Sequence, residues 1–116
     1  MPLFELQTSL PATSIPENYH EQLTECLATM LGKPKKFVAV MITPGKHLSF
    51  RETLEPAVIC GLTCIGKIGE EENKTYTKLL TDKISADLGV STERLTICFH
   101  LAKGENVGWN RKTFAA

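Results

Sequence analysis

The order of hydrophobic and polar positions predicts four strands and two helices. Two of the strand segments alternate between apolar and polar residues, and the other two are continuously apolar. The turn residues that bound all four favour strands over helices. The predicted strands are residues 2–8, 37–43, 57–65 and 95–101. In the first, Phe4, Leu6 and Thr8 share a face. The two continuous runs predict strands covered on both faces, whereas the last strand has a more polar face.

Two segments carry apolar residues at helical spacing. Ser14 and Glu17 form a capping-box pattern, which predicts Ser14 as the N-cap of the first helix, and Gly32 ends that helix. The second helix is predicted to begin near Glu70, in an acidic run that suits the N-terminal dipole, and to end at Gly89. The predicted apolar stripes are Tyr19, Leu23, Cys26, Leu27, Met30 and Leu31, and then Tyr76, Leu79, Leu80, Ile84 and Leu88.

This order predicts an α+β, two-layer fold in a single domain over residues 1–116. Two β-α-β units would form a four-stranded mixed sheet with both helices on one face. The other face would stay uncovered although two strands are apolar on both sides, so an oligomer is predicted. The tail from Gly104 contains Val107, Trp109 and Phe114, which is too aromatic for a disordered tail.

Composition excludes several classes of function. The 13 basic and 13 acidic residues balance and form no strong basic patch, which argues against nucleic-acid binding. No apolar run is long enough to cross a membrane, and the N-terminus lacks a secretory signal pattern. The four cysteines contain no C-x-x-C pair and no histidine at ligand spacing, so buried reduced thiols without a metal site are predicted.

The N-terminal Met1-Pro2 offers one candidate for chemistry. If Met1 is removed, Pro2 presents a free secondary amine at the start of a strand. The α-amino pKa lies near 8, and burial beside a cation would lower it towards neutral pH. Most prolines in this position have no function, so the two interpretations remain open on position alone.

Residues spread over nearly the whole chain resemble the macrophage migration inhibitory factor family of the tautomerase superfamily, which includes D-dopachrome tautomerase. The matching residues are Pro2, Gly32-Lys33-Pro34, Phe37-Val38-Ala39-Val40, Ile65-Gly66-Lys67-Ile68-Gly69, Asn73, Tyr76, Lys78-Leu79-Leu80, Asn106-Val107-Gly108-Trp109-Asn110 and Thr113-Phe114. The resemblance implies the tautomerase fold, a homotrimer whose sheets enclose a channel, and no cofactor. It also implies a keto–enol tautomerase, an isomerase acting on small aromatic α-keto acids such as phenylpyruvate, or on dopachrome.

The resemblance also implies roles for individual residues. Pro2 would be the catalytic base and acid after Met1 removal, and Lys33 would hold the substrate carboxylate and lower the Pro2 pKa. Ile65 would contribute its backbone N–H. The apolar wall around the ring would consist of Phe37, Val107, Trp109 and Phe114. From spacing alone, Lys33 also fits a solvated lysine at a helix end, and Trp109 and Phe114 fit ordinary core.

Three positions depart from the family pattern. Cytokine-type members carry tyrosine and asparagine, donated across the subunit interface, at the positions of Thr96 and Cys98, and tyrosine at Phe37. Thr96 offers a shorter hydroxyl and Cys98 a weak donor. Altered recognition of the substrate ring is therefore expected.

An alternative function belongs to a different class. Some family members are cytokines, secreted without a signal peptide, that bind the MHC class II invariant chain. The resemblance therefore also fits a receptor-binding protein with weak tautomerase activity, located in the cytoplasm and exported by a non-classical route. A ferredoxin-like regulatory or RNA-binding module is a weaker third reading, since the chain has no basic face.

Overall fold

The computed structural model describes residues 1–115 and forms two layers, a sheet and a pair of helices. The strands and helices in chain order are β1 (Leu3–Thr8), α1 (Tyr19–Leu31), β2 (Ala39–Thr43), β3 (Val58–Ile65), α2 (Glu70–Leu88), β4 (Leu95–Ala102), β5 (Gly108–Trp109) and β6 (Lys112–Thr113). All elements predicted from the sequence pattern are present, and the aromatic tail adds the β5–β6 hairpin.

The main sheet has the strand order β2-β1-β3-β4. Strand β1 runs parallel to β2, with Leu3 opposite Ala39, and antiparallel to β3, with Leu3 opposite Thr63. Strand β4 runs parallel to β3. The predicted mixed sheet of two β-α-β units is therefore confirmed.

Both helices cover the same face of this sheet, where the core lies. Alternation along β1 and β3 directs Phe4, Leu6, Val58 and Leu62 into the core, because side chains two apart share a face. The helix stripes meet them through Tyr19, Leu23, Leu27, Leu31, Tyr76, Leu80, Ile84 and Leu88. Leu79 was predicted in this stripe but is 39% exposed. The buried residues of α2 recur every four positions from Tyr76, and Leu79 lies one position before the nearest of them, Leu80.

The predicted start of the first helix is wrong. Ser14 ends a 3₁₀ turn instead of capping a helix, and α1 begins only at Tyr19, after Asn18. The cause is Pro16, which disfavours helical backbone in the residue before it. Ile15 is accordingly extended, with φ −96° and ψ 126°. The end of the helix is confirmed, since Gly32 adopts the left-handed conformation with φ 65°.

Strand boundaries also differ from the prediction. The strand expected over residues 37–43 begins at Ala39, because residues 35–37 form a 3₁₀ turn in which the Phe37 N–H donates to the Pro34 carbonyl at 3.0 Å. The other three strands differ from the prediction by one residue at one end, since β1 begins at Leu3, β3 begins at Val58 and β4 ends at Ala102. The first difference matters for function, because it takes Phe37 out of the sheet.

The uncovered face of the sheet is less apolar than predicted. We call it the open face; its residues include Leu3, Glu5, Gln7, Met41, Ile59, Thr63, Ile65, Thr96, Cys98 and His100. The continuous apolar runs alternate between the core and this face, so only part of each run is exposed on it. Met41, for example, is 53% exposed. Neither helix in residues 1–115 has the length and hydrophobicity needed to cross a bilayer.

A polar contact joins the two helices at the edge of the core. The Tyr19 hydroxyl donates to the Asp87 carboxylate at 3.0 Å, and Lys83 pairs with the same carboxylate at 3.0 Å. Burial, followed by the hydrogen bond to Asp87, raises the pKa of the Tyr19 phenol above its ordinary value. The folded state therefore favours the neutral phenol.

Tyr19→Phe should lower the free energy of unfolding by about 1.5–3 kcal/mol at pH 7, the usual contribution of a hydrogen bond to a charged partner. Since the folded pKa is raised, the phenol's contribution is complete below its unfolded pKa, about 10, and is lost as pH rises above it. Urea titrations at pH 7 and at higher pH should show that the difference in free energy of unfolding between the wild type and Tyr19→Phe becomes smaller as the pH rises. An advantage that stays constant above pH 10 would contradict this coupling.

Candidate active site

The N-terminus is anchored at the end of the central strand. Pro2 is fully buried, and its carbonyl accepts a hydrogen bond from the Ala39 N–H at 2.9 Å. Leu3 then pairs with strands on both sides, opposite Ala39 and Thr63. Because the backbone is held on two sides, the Pro2 nitrogen lies at a fixed place on a rigid element.

The charge environment at this point favours an uncharged amine. Burial is the largest influence and lowers the pKa of the Met1 amino group below its ordinary value near 8. The positive charge of Lys33 acts in the same direction, and Cys64 opposes both. Lys33 is thus close enough to affect an ionisable group at the N-terminus.

Lys33 owes its position to the end of α1. Gly32 turns the chain with a positive φ, and the Lys33 N–H then donates to the Ala28 carbonyl at 3.0 Å, closing the helix. The half-buried side chain follows directly from this turn. The helix terminus therefore sets the place of the cation, and the role of Lys33 in holding a carboxylate stays a prediction.

A cleft of about 350 Å³ opens at the N-terminus. It is lined by Met1, Lys36, Phe37, Trp109 and Phe114. The 3₁₀ turn that shortens β2 supplies one wall, and the C-terminal hairpin supplies the other. The structure thus brings together residues from the beginning, the first third and the end of the chain.

The hairpin that forms the second wall is held by its own backbone. The Phe114 N–H donates to the carbonyls of Gly104 and Val107, at 3.1 Å each. Trp109 and Phe114 are 58% and 39% exposed, so the alternative that they are ordinary core residues is wrong. Val107 is half-buried and supports the hairpin without lining the cleft.

Ile65 lies at the sheet end that carries Pro2. It is the last residue of β3 and is opposite Ala102, while Leu3 is opposite Thr63 two residues earlier. The strand stops there because Gly66 and Lys67 both adopt positive φ, 74° and 64°. The backbone of Ile65 therefore faces the same end of the sheet as the N-terminus, although its side chain does not line the cleft.

Thr96 and Cys98 are not brought to this cleft within one chain. Thr96 is opposite Ile59 on β3, which pairs with Gln7, so it lies about five residues, or ~16 Å, along the sheet from Pro2. Cys98 is exposed on the open face, whereas buried thiols were predicted. Its edge-strand position explains the exposure. Cys60 and Cys64 are buried as predicted, and burial raises the pKa of the Cys60 thiol to about 12.

The sequence reasoning missed three basic residues beside the aromatic wall. Lys36 lines the cleft next to Phe37, and Arg111 and Lys112 line a wider cleft of about 590 Å³ that shares Phe37, Trp109 and Phe114 with it. The available signal was their position in the sequence, since Lys36 precedes Phe37 and both Arg111 and Lys112 stand between Trp109 and Phe114. Within residues 1–115, no group of three or more His, Cys, Asp or Glu side chains could hold a metal ion.

A family model described as macrophage migration inhibitory factor matches residues 1–115. The macrophage migration inhibitory factor of Rattus norvegicus is 40% identical over 115 residues, which is 99% of this chain and 100% of the rat protein. The homologue from Trichinella spiralis is 34% identical over 98% of this chain and 100% of its own length.

Solved structures agree with the sequence comparisons. The structure of the factor from Trichinella spiralis superposes with a TM-score of 0.94 and 33% identity, covering 97% of this chain and 99% of that one. A homologue from Prochlorococcus marinus gives a TM-score of 0.88 with 28% identity, covering 97% and 98%. The similarity extends over the strands, the helices and the cleft elements alike.

Proposed function

The chain belongs to the macrophage migration inhibitory factor family, and on that premise we propose that it is a cofactor-independent keto–enol tautomerase acting on small aromatic α-keto acids or dopachrome-like compounds. The single observation that supports the proposal is the buried Pro2 directly after Met1, which lines an aromatic cleft and whose amino group has its pKa lowered by burial and by the charge of Lys33.

After Met1 removal, the Pro2 amine accepts the proton from the carbon next to the substrate ketone. The electrons of the broken C–H bond form the C=C bond, and the carbonyl π electrons move to oxygen. Return of the same proton from the Pro2 ammonium to that oxygen completes the enol, so no cofactor or second reactant is consumed. A group that gives and takes a proton works best with a pKa near the operating pH.

Other residues position the substrate. Lys33 pairs with the substrate carboxylate, and the developing negative oxygen accepts a hydrogen bond from the Ile65 N–H. Phe37, Trp109 and Phe114 enclose the ring, with Val107 behind them. The absence of a phenol at Phe37 leaves the far end of the ring without that donor.

We propose a homotrimer as the active form. The exposed apolar residues Met41 and Leu101 suit burial between copies. Thr96 and Cys98 lie too far along the sheet to reach the cleft of their own chain. In such an assembly they reach the cleft of a neighbouring copy instead. Native mass spectrometry should then give three times the 12.8 kDa chain mass.

A second candidate function is receptor binding by a secreted, cytokine-type protein. The relatives named migration inhibitory factors favour it, and so does the 58% exposure of Trp109, which offers an aromatic contact surface. The partner would be a cell-surface receptor similar to the MHC class II invariant chain. This function requires no proton transfer at Pro2, so a Pro2→Gly variant distinguishes receptor binding from tautomerase activity.

Pro2→Gly should lower kcat/KM for phenylpyruvate by about 10- to 100-fold. A glycine amine remains basic but is less rigid, so part of the 10²- to 10⁴-fold contribution of a positioned acid–base group survives. The assay is enol formation by processed chains whose intact masses prove Met1 removal, with native mass spectrometry as the control for assembly. Equal activity in both chains, or none in the wild type, would overturn the proposal and leave receptor binding.

A further inference from the structure

Positive charge is concentrated around the candidate active site although the chain as a whole is neutral. Four of the 13 basic residues lie there: Lys33, Lys36, Arg111 and Lys112. Within residues 1–115, the ion pairs formed by lysine involve Lys35, Lys74, Lys78 and Lys83, and none of the four. Among the residues that the structure describes, none that lines either cleft is acidic.

Two clefts share one aromatic wall and differ in the basic residues that line them. The 350 Å³ cleft at Met1 and the 590 Å³ cleft of the hairpin share Phe37, Trp109 and Phe114. Lys33 acts at the N-terminal end. Of these two clefts, Arg111 and Lys112 line only the one of 590 Å³, which we call the outer cleft.

The backbone fixes the outer charges in place. Asn110 and Arg111 adopt positive φ, 51° and 71°, in the two-residue turn that joins β5 to β6. Lys36 lies over the Phe37 ring, with its ammonium 5.3 Å from the ring centre.

We propose that the outer cleft is a second anion-binding subsite, and that the preferred ligands are aromatic acids with an anionic group at each end. The α-keto carboxylate is held at Lys33, the ring lies against Trp109 and Phe114, and a second carboxylate or similar oxyanion is held by Arg111 and Lys112. Arg111 offers the planar donor pair that matches a carboxylate. The preference for such acids as substrates rests on the proposed tautomerase activity. Their binding as ligands does not depend on that activity.

Binding can be measured without catalysis, because Trp109 is the only tryptophan and lines both clefts. Titrations of tryptophan fluorescence on the processed chain compare 4-carboxyphenylacetate with phenylacetate, neither of which can tautomerise. The dianion should bind at least about fivefold more tightly at low salt. The advantage should fall towards twofold or less near 0.5 M salt, since screening shortens the range of charge interactions.

Variants test the assignment to the outer cleft. In Arg111→Gln with Lys112→Gln, the dianion advantage should fall below about twofold while phenylacetate binds as in the wild type. The matched control is Lys74→Gln with Lys78→Gln, which makes the same charge change on exposed α2. Equal binding of the two probes by the wild type, or an equal loss of preference in the control, would overturn the subsite.

The two proposals fail separately. Dianion preference in a chain that does not tautomerise phenylpyruvate would support the subsite and overturn the enzyme. Tautomerisation of phenylpyruvate with no gain in kcat/KM for 4-carboxyphenylpyruvate, and no fluorescence preference, would support the enzyme and overturn the subsite.

Discussion

A chain that retains Met1 should tautomerise phenylpyruvate at no more than about a thousandth of the rate of the same chain after Met1 removal. This is within the 10²- to 10⁴-fold range that a positioned acid–base group contributes. While Met1 is present, the Pro2 nitrogen belongs to a peptide bond and has no basic lone pair. The effect should exceed that of Pro2→Gly, which keeps an amine at the same point.

The structure adds a steric reason for the loss. Met1 itself lines the cleft with Phe37 and Trp109, so it occupies space that the substrate ring needs. Its own amine, whose pKa burial lowers, lies one residue further from the anchored backbone of Pro2. A displacement of about one residue is large compared with the near-contact geometry that proton transfer requires.

The measurement uses one preparation before and after treatment with methionine aminopeptidase. Intact mass spectrometry reports the extent of trimming, and the enol-formation rate should rise in proportion to the trimmed fraction. A parallel sample treated with inactivated aminopeptidase controls for handling. Full activity in a chain that is wholly untrimmed by mass would refute the role of the Pro2 amine.

Leu62→Ala should lower the free energy of unfolding by about 2–5 kcal/mol, the usual cost of removing a buried leucine and leaving a cavity. Leu62 is fully buried in β3, opposite Phe4, beneath both helices. Neighbouring strands fix the backbone on both sides, so the site cannot collapse around the missing atoms. This should be the largest stability effect among single leucine truncations of the sheet.

Leu54→Ala provides the matched control. Leu54 is 66% exposed between β2 and β3, so the same chemical change should cost less than about 0.5 kcal/mol. Urea unfolding followed by circular dichroism, at one protein concentration for all chains, gives both values. Comparable losses for the two variants would show that Leu62 is not in the core described above.

Local sequence rules succeeded where one interaction decides the outcome. Alternation in residues 2–8 predicted the buried face of β1, and Gly32 predicted the end of α1 by its freedom to adopt positive φ. The start of α1 failed because two local rules compete there. Ser14 and Glu17 favour a cap, but the restriction that Pro16 places on Ile15 prevails.

The individual site residues were predicted mainly through family resemblance, and their assembly could not have been read from spacing. Lys36 and Phe37 are more than seventy residues from Trp109 and Phe114, yet they line one cleft. Arg111 and Lys112 looked like ordinary surface charges until the hairpin placed them beside the same aromatic wall. Sequence distance carries no information about such contacts when a crossover and a hairpin intervene.

The sequence by itself determined the elements, the core faces and the family of this protein, because periodicity, glycine and proline act over a few residues. Only the tertiary structure decided that Pro2 is buried on a strand held from both sides, and that Lys33 acts on the N-terminal amine. It also separated Thr96 and Cys98 from that site within one chain. Those outcomes depend on strand order and register, which pair residues far apart in sequence through backbone hydrogen bonds that any residue except proline can make.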